Sequence, residues 1–233
     1  MDTFSEEKVK VPFGVKHLDA ILCVPTKVNG VHQAVILTHG AGGDMQFRHL
    51  VSLAQEVASR GLVCLRFTCK ALNLPYRVKA YNAVWEYLNT LEKFSIRQIF
   101  LGGRSMGSRA AVALARQLSE ASAEAVAGVV CLSFPLHPPG QQHAHHQRSE
   151  DLRGLPVGMP VLFVSGTADN MCDRALLEKV VKDMKATVDV SWLEGGSHGL
   201  AVRGRSEDSV LDEVNSRVVT WTMKHGVHGN DHN

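Results

Sequence analysis

The sequence predicts an α/β protein, built on a mostly parallel central sheet of about eight strands with helices on both faces. Three observations carry that prediction. Strand-like and helix-like runs alternate along almost the whole chain. The strand-like runs are nearly continuous in apolar residues, as strands buried on both faces must be. The chain has 233 residues, 45% of them hydrophobic and 21% charged, enough to bury a sizeable core without staples.

The elements follow in order. Lys8 to Pro12 and His17 to Pro25 read as extended runs joined by Phe13 to Lys16, an antiparallel hairpin. The turn-like TKVNG comes next. Gln33 to Thr38 is an apolar strand that ends in HGAGGDM. Phe47 to Arg60 carries Leu50, Leu53, Ala54 and Val57 at helical spacing. Leu62 to Phe67 is a strand, and Arg77 to Leu91 a helix with Val84, Leu88 and Leu91 on one side. Arg97 to Leu101 is a strand, and Ser108 to Leu118 continues a helix rich in alanine. Gly128 to Ser133, Val161 to Ser165 and Val188 to Trp192 are further strands, with a helix near Arg174 to Met184 between the last two. The final helix starts near Ser206, with Glu207 and Asp208 suited to its first turn, and runs to about Lys224. There is no internal repeat and no linker. One domain over residues 8–224 is therefore expected, after an N-terminal segment 1–7 and before a disordered tail 225–233. The irregular stretch Pro135 to Pro160 is too short for a separate domain. No large cap domain is expected, and the pocket should be open or lightly covered.

Composition narrows the partners. A net charge of +2 with no long run of one sign argues against nucleic acid. The five cysteines, Cys23, Cys64, Cys69, Cys131 and Cys172, are scattered and never spaced C-x-x-C. They read as free thiols in a reducing compartment. The N-terminus MDTFSEEKVKVPFG has no apolar run of a secretory leader, and no stretch is long and apolar enough for a membrane span. The expected location is intracellular, in the cytoplasm, with the nucleus left open.

The chemistry centres on IFLGGRSMGSRAA, Ile99 to Ala111. A strand-like run meets a helix-like run through Gly103-Arg104-Ser105-Met106-Gly107, which is G-x-S-x-G. In that setting the motif is a nucleophile elbow: a serine on a tight strand-to-helix turn, its hydroxyl projecting from the sheet edge. The following helix begins at the serine, so its positive end favours an oxyanion. A phosphate loop would need lysine where Ser108 stands. A dinucleotide turn from Gly40 and Gly42 would need glycine where Met45 stands. By itself the motif fixes only three positions and can arise by chance.

A serine needs a positioned base. The hydrolase order asks for an acid after a later strand and a histidine near the C-terminus. VLFVSGTADNMCD supplies Asp169 just after a strand, with Asp173 as a rival acid; either could instead be a turn or cap residue. WLEGGSHGL supplies His198, the one histidine of twelve in a loop directly after the final strand. The oxyanion donors expected are the N–H of Met106 and, from HGAGGD, that of Ala41, with Gly42 second. The histidines His143, His145 and His146 carry no companion cysteine or carboxylate at structural-site spacing, so they read as a solvated loop and no metal is assigned. Arg66, Lys70 and Arg104 near the site could favour an anionic substrate group, against the commoner reading of solvated or ion-paired side chains.

With these residues in hand, the chain resembles the α/β-hydrolase superfamily. ILTHGAGGDM, CLRFTCKALN, FLGGRSMGSRAA, SFPLHPPG and VLFVSGTADNMC resemble more closely the small family containing testis-expressed protein 30. That family is related to the hydrolase-like domain of a nonspecific-lethal histone acetyltransferase complex subunit. A looser resemblance is to dienelactone hydrolases. The resemblance implies an α/β-hydrolase fold and puts a triad on Ser105, Asp169 and His198. It supplies no substrate. The function expected is hydrolysis of an ester, thioester or amide of a small molecule, with no cofactor and an unidentified protein partner left open. The alternative is a non-catalytic binding or scaffold protein on the same fold.

Overall fold

In the computed structural model, which describes residues 3–27 and 30–226, eight strands form one sheet. They are β1 (Phe4–Phe13), β2 (Lys16–Pro25), β3 (Gln33–Thr38), β4 (Val63–Phe67), β5 (Gln98–Arg104), β6 (Gly128–Leu132), β7 (Pro160–Gly166) and β8 (Thr187–Leu193). The order across the sheet is β1-β2-β4-β3-β5-β6-β7-β8. β2 runs antiparallel to both β1 and β4, and every other pairing is parallel. Among the described residues seven α-helices connect or follow the strands: α1 (Arg48–Ser59), α2 (Leu74–Asn89), α3 (Met106–Ala121), α4 (His145–Arg148), α5 (Glu150–Arg153), α6 (Arg174–Asp183) and α7 (Glu207–His225).

Strand alternation divides the core into two layers. Ala34, Ile36, Leu65, Leu101 and Phe163 face α2, α3 and α6, and pack with Tyr81, Val84, Ala111 and Leu177. Val35, Leu37, Phe100 and Val130 face α1 and α7, and pack with Leu50, Leu53, Val218 and Trp221. Parallel strands covered on both faces need this continuous apolar character. Tyr81 ties the layers to the backbone: its buried hydroxyl accepts from the Gly102 N–H at 2.9 Å and lies 2.8 Å from the carbonyls of Ile36 and Gly102.

Several boundaries differ from the sequence expectation. β1 begins at Phe4, four residues before Lys8, because Phe4 to Glu7 continue the antiparallel ladder opposite Pro25 to Leu22, and the Glu6 side chain reaches the buried Arg66. α2 begins at Leu74 and not Arg77, since Asn73 caps it by accepting from the Tyr76 N–H at 2.9 Å and Pro75 suits the first turn. β5 continues past Leu101 to Arg104, so the strand runs directly into the serine turn. Within 135–160 the chain forms a 3₁₀ turn, α4 and α5, and it buries Leu136, Leu152 and Leu155 in the main core. That stretch is a packed connection and not a cap. Of the tail expected from 225, His225 closes α7 and residues 227–233 lie outside the described residues, as do residues 28 and 29 of the TKVNG turn.

Candidate active site

Ser105 sits between β5 and α3 with φ 52° and ψ −120°. A residue with a side chain holds positive φ only when its surroundings over-determine it. Here they do. The Ser105 N–H donates to the Leu132 carbonyl at 2.8 Å, and the Ser105 carbonyl accepts from the Ser108 N–H at 2.8 Å and the Ser108 hydroxyl at 2.6 Å. The motif glycines are explained by close backbone approach. A Cβ on Gly103 would stand 2.5 Å from the carbonyl carbon of Gly107, and one on Gly107 would stand 2.6 Å from the carbonyl oxygens of Thr38 and His39.

The loops after β7 and β8 converge on the serine. Ser105 Oγ lies 2.8 Å from His198 Nε2. His198 Nδ1 lies 3.0 and 2.9 Å from the two carboxylate oxygens of Asp169. Asp169 Oδ1 also accepts from the Met171 N–H at 2.8 Å. The Asp169 carboxylate is fully buried, while the His198 ring is one-fifth exposed. With Nδ1–H directed at the carboxylate, Nε2 faces the hydroxyl as an acceptor. A hydroxyl so held can pass its proton to Nε2. Asp173 is elsewhere: it caps α6, accepting from the Leu176 N–H at 3.0 Å.

Two glycines bring the Asp169 and His198 loops together. A Cβ on Gly166 would stand 2.0 Å from the Gly196 carbonyl oxygen. The Ala168 N–H donates to that same carbonyl at 2.9 Å, and the Gly195 N–H donates to the Thr167 hydroxyl at 2.7 Å. The sequence reading did not single out this contact. Its only signal was a glycine in each loop.

The loop after β3 packs on the serine from the other side. A Cβ on Gly40 would stand 3.2 Å from Ser105 Cβ, which puts the exposed turn at Ala41 beside the elbow. Met106 is the first residue of α3, where N–H groups have no intrahelical acceptor. His39 shapes this loop, and sequence reasoning missed it although it opens HGAGGD. Its Nε2 accepts from the Cys69 N–H at 3.0 Å, so Nδ1 carries the proton and donates to the Gly40 carbonyl at 2.7 Å. Burial holds its basicity below the usual imidazole range; Arg77 and Lys70 push the same way, against the Gly40 hydrogen bond and Asp44. Arg77, on α2, donates to the His39 carbonyl at 2.7 Å.

The cations expected near an anionic substrate are mostly committed. Arg66 is buried, donates to the Met45 carbonyl at 3.1 Å and pairs with Glu6 at 3.4 Å. The Arg104 guanidinium lies 4.6 Å from the Phe47 ring centre and donates to the His198 carbonyl at 3.3 Å, so it braces the His198 loop. Lys70 is exposed. His143 and His146 are exposed, and His145 Nδ1 lies 2.9 Å from the Gln142 carbonyl. A pocket of about 250 Å³ opens beside Gly199, lined among others by Phe47, His49, Leu200 and Val202. Among the described residues no helix is long and apolar enough to cross a membrane.

Strand order, helical layers and a serine turn at the sheet's carboxyl edge define the α/β-hydrolase fold. A family model described as alpha/beta hydrolase domain matches residues 31–224. The chain belongs to that family. Among solved structures, it is similar to a dienelactone hydrolase from Anabaena variabilis, at 18% identity and a TM-score of 0.77 over 95% of this chain and 98% of that one. It is also similar to Est1E from Butyrivibrio proteoclasticus, at 16% identity and a TM-score of 0.75 over 94% and 98%. A third likeness is to a lidless α/β serine hydrolase from Xanthomonas campestris, at 15% identity and a TM-score of 0.71 over 94% of both chains. At these identities the likeness is one of fold.

Proposed function

We propose that the chain is a serine hydrolase that cleaves an ester, thioester or amide bond of a small molecule. The observation that carries this is the hydrogen-bonded series Ser105, His198, Asp169, with links of 2.8 Å and 2.9 Å. Ser105 Oγ attacks the substrate carbonyl while His198 Nε2 takes its proton. Asp169 holds the imidazole in the required tautomer and stabilises its protonated form. The N–H groups of Met106 and Ala41 receive the developing oxyanion. His198 then returns the proton to the leaving group, and water repeats the sequence on the acyl-enzyme.

A hydrolase family and hydrolase-fold neighbours support chemistry over a purely scaffolding role, as does the intact polar set. The motifs ILTHGAGGDM, FLGGRSMGSRAA and SFPLHPPG support, within this fold, a kinship with the testis-expressed protein 30 family. Five buried free cysteines suit work inside the cell, where thiols stay reduced. The test is labelling by a fluorophosphonate probe. Wild type should label and Ser105→Ala should not; equal labelling of the two would overturn the nucleophile assignment.

A further inference from the structure

His137 lies in the connection after β6 and is only 1% exposed. Its N–H donates to the Met171 carbonyl at 3.1 Å. The Asp173 N–H donates to its Nε2 at 3.0 Å, and its Nδ1 lies 2.8 Å from the Pro138 carbonyl. A backbone N–H can only donate, so Nε2 is unprotonated and Nδ1–H is the donor to Pro138. His39, at the end of β3, is held in the same way: its Nδ1–H donates to the next residue's carbonyl, and its Nε2 accepts an N–H from a neighbouring loop. β3 and β6 are the two strands that flank β5, which carries Ser105.

The His137 contacts lead to the acid. The residue whose carbonyl accepts from the His137 N–H is Met171, and the Met171 N–H donates to Asp169 Oδ1 at 2.8 Å. That oxygen is one of the two facing His198 Nδ1. The Asp173 N–H precedes α6 and has no place in its ladder, so without Nε2 a part-buried donor would go unpaired. An apolar side chain would fill the space but could not accept.

We propose that His137 is a positioning residue for the hydrolytic site: its unprotonated Nε2 fixes the Met171–Asp173 segment so that both Asp169 oxygens face His198. This rests on the serine-hydrolase reading above, with Asp169 as the acid.

The two amide substitutions separate the roles of the ring nitrogens. In His137→Gln the Oε1 atom takes the place of Nε2 and can accept from Asp173. In His137→Asn the amide stands at Nδ1 and can donate to Pro138, while Asp173 loses its acceptor. Two readouts are taken on the full chain, at a temperature where circular dichroism shows each variant folded. They are the rate of fluorophosphonate labelling at Ser105 and the low-field NMR signal of the His198 Nδ1 proton shared with Asp169. The Gln variant should label within about 3-fold of wild type and keep the proton signal, while the Asn variant should label at least about 10-fold more slowly and lose it. An Asn variant that labels at the wild-type rate, or a Gln variant as slow as the Asn variant, overturns the proposal. If the Asn variant does not fold, the Gln variant decides: a near-wild-type rate with the proton retained supports the role, and a loss of about 10-fold or more overturns it. A wild type that does not label overturns the hydrolase reading instead, and the proton signal in the variants still decides whether His137 sets Asp169.

Discussion

Ser105 holds a backbone conformation that its neighbours impose. The Cα of Gly107 is pressed against the ends of β3, and the Cα of Gly103 against Gly107. In Gly107→Ala the new methyl would meet two carbonyl oxygens at 2.6 Å, neither of which can move without shifting β3. The expected loss is about 1–3 kcal/mol in urea unfolding, with slower fluorophosphonate labelling. Unchanged stability would mean that β3 and α3 yield easily. The two aspartates give a second prediction at this scale. Asp169→Asn keeps the shape but loses the charge facing Nδ1, so labelling should slow by at least about 100-fold with the melting temperature little changed. Asp173→Ala removes a helix cap, so it should cost about 1 kcal/mol and leave labelling near wild type. The reverse pattern would exchange their roles. As candidates, Ser105, Asp169 and His198 were legible because each falls in the turn or loop directly after a strand-like apolar run. The contact of Gly166 with Gly196 was not, because it joins residues from separate strand ends and leaves no local pattern.

At the scale of elements, α2 does more than cover the sheet. Its Asn73 cap starts it one turn before the apolar stripe, and that places Arg77 under the end of β3 and Tyr81 against β5. Arg77 is 1% exposed, and it also lies 3.3 Å from the Thr38 hydroxyl. A reading by apolar spacing finds the middle of this helix and misses its start, because Asn73 contributes a cap, Pro75 a preset backbone angle and Arg77 hydrogen bonds, none of them hydrophobic period. The same limit applied to β1, where Glu6, Glu7 and Lys8 interrupt the apolar pattern, and to the buried Arg66 that Glu6 meets. Tyr81→Phe should cost about 1–3 kcal/mol, since the Gly102 N–H would lose a buried partner. Chemical denaturation would check it, and a neutral result would show that strand pairing alone holds β5 in place.

Across the whole molecule, the alternation of strand and helix and the mostly parallel sheet were readable because parallel strands buried on both faces must be apolar throughout, whereas the order across the sheet leaves no such pattern. Buried ionisable groups were not readable, because burial is decided by what folds over them. His49 is the clearest case. It sits in the first turn of α1, only 6% exposed, stacked against Phe47, and among the described residues its Nδ1 has no hydrogen-bond partner. Burial pushes its pKa down to about 4, with Arg104 and Arg48 adding to the effect and Glu207 opposing it. In the unfolded chain the same ring takes up a proton near pH 6.5. Between those values the unfolded state binds more protons, so the stability present above about pH 6.5 is lost as pH falls toward about 4, and this group adds no further loss below that. The depressed His39 shifts stability in the same direction. The His49 contribution amounts to at most about 3 kcal/mol. His49→Leu keeps an apolar fill and removes the titration. Urea unfolding at pH 7.5 and at pH 4.5 should then give a smaller acid loss than in wild type, by about 2–3 kcal/mol. An unchanged difference between the two pH values would show that His49 is solvated in the native state and that acid acts elsewhere.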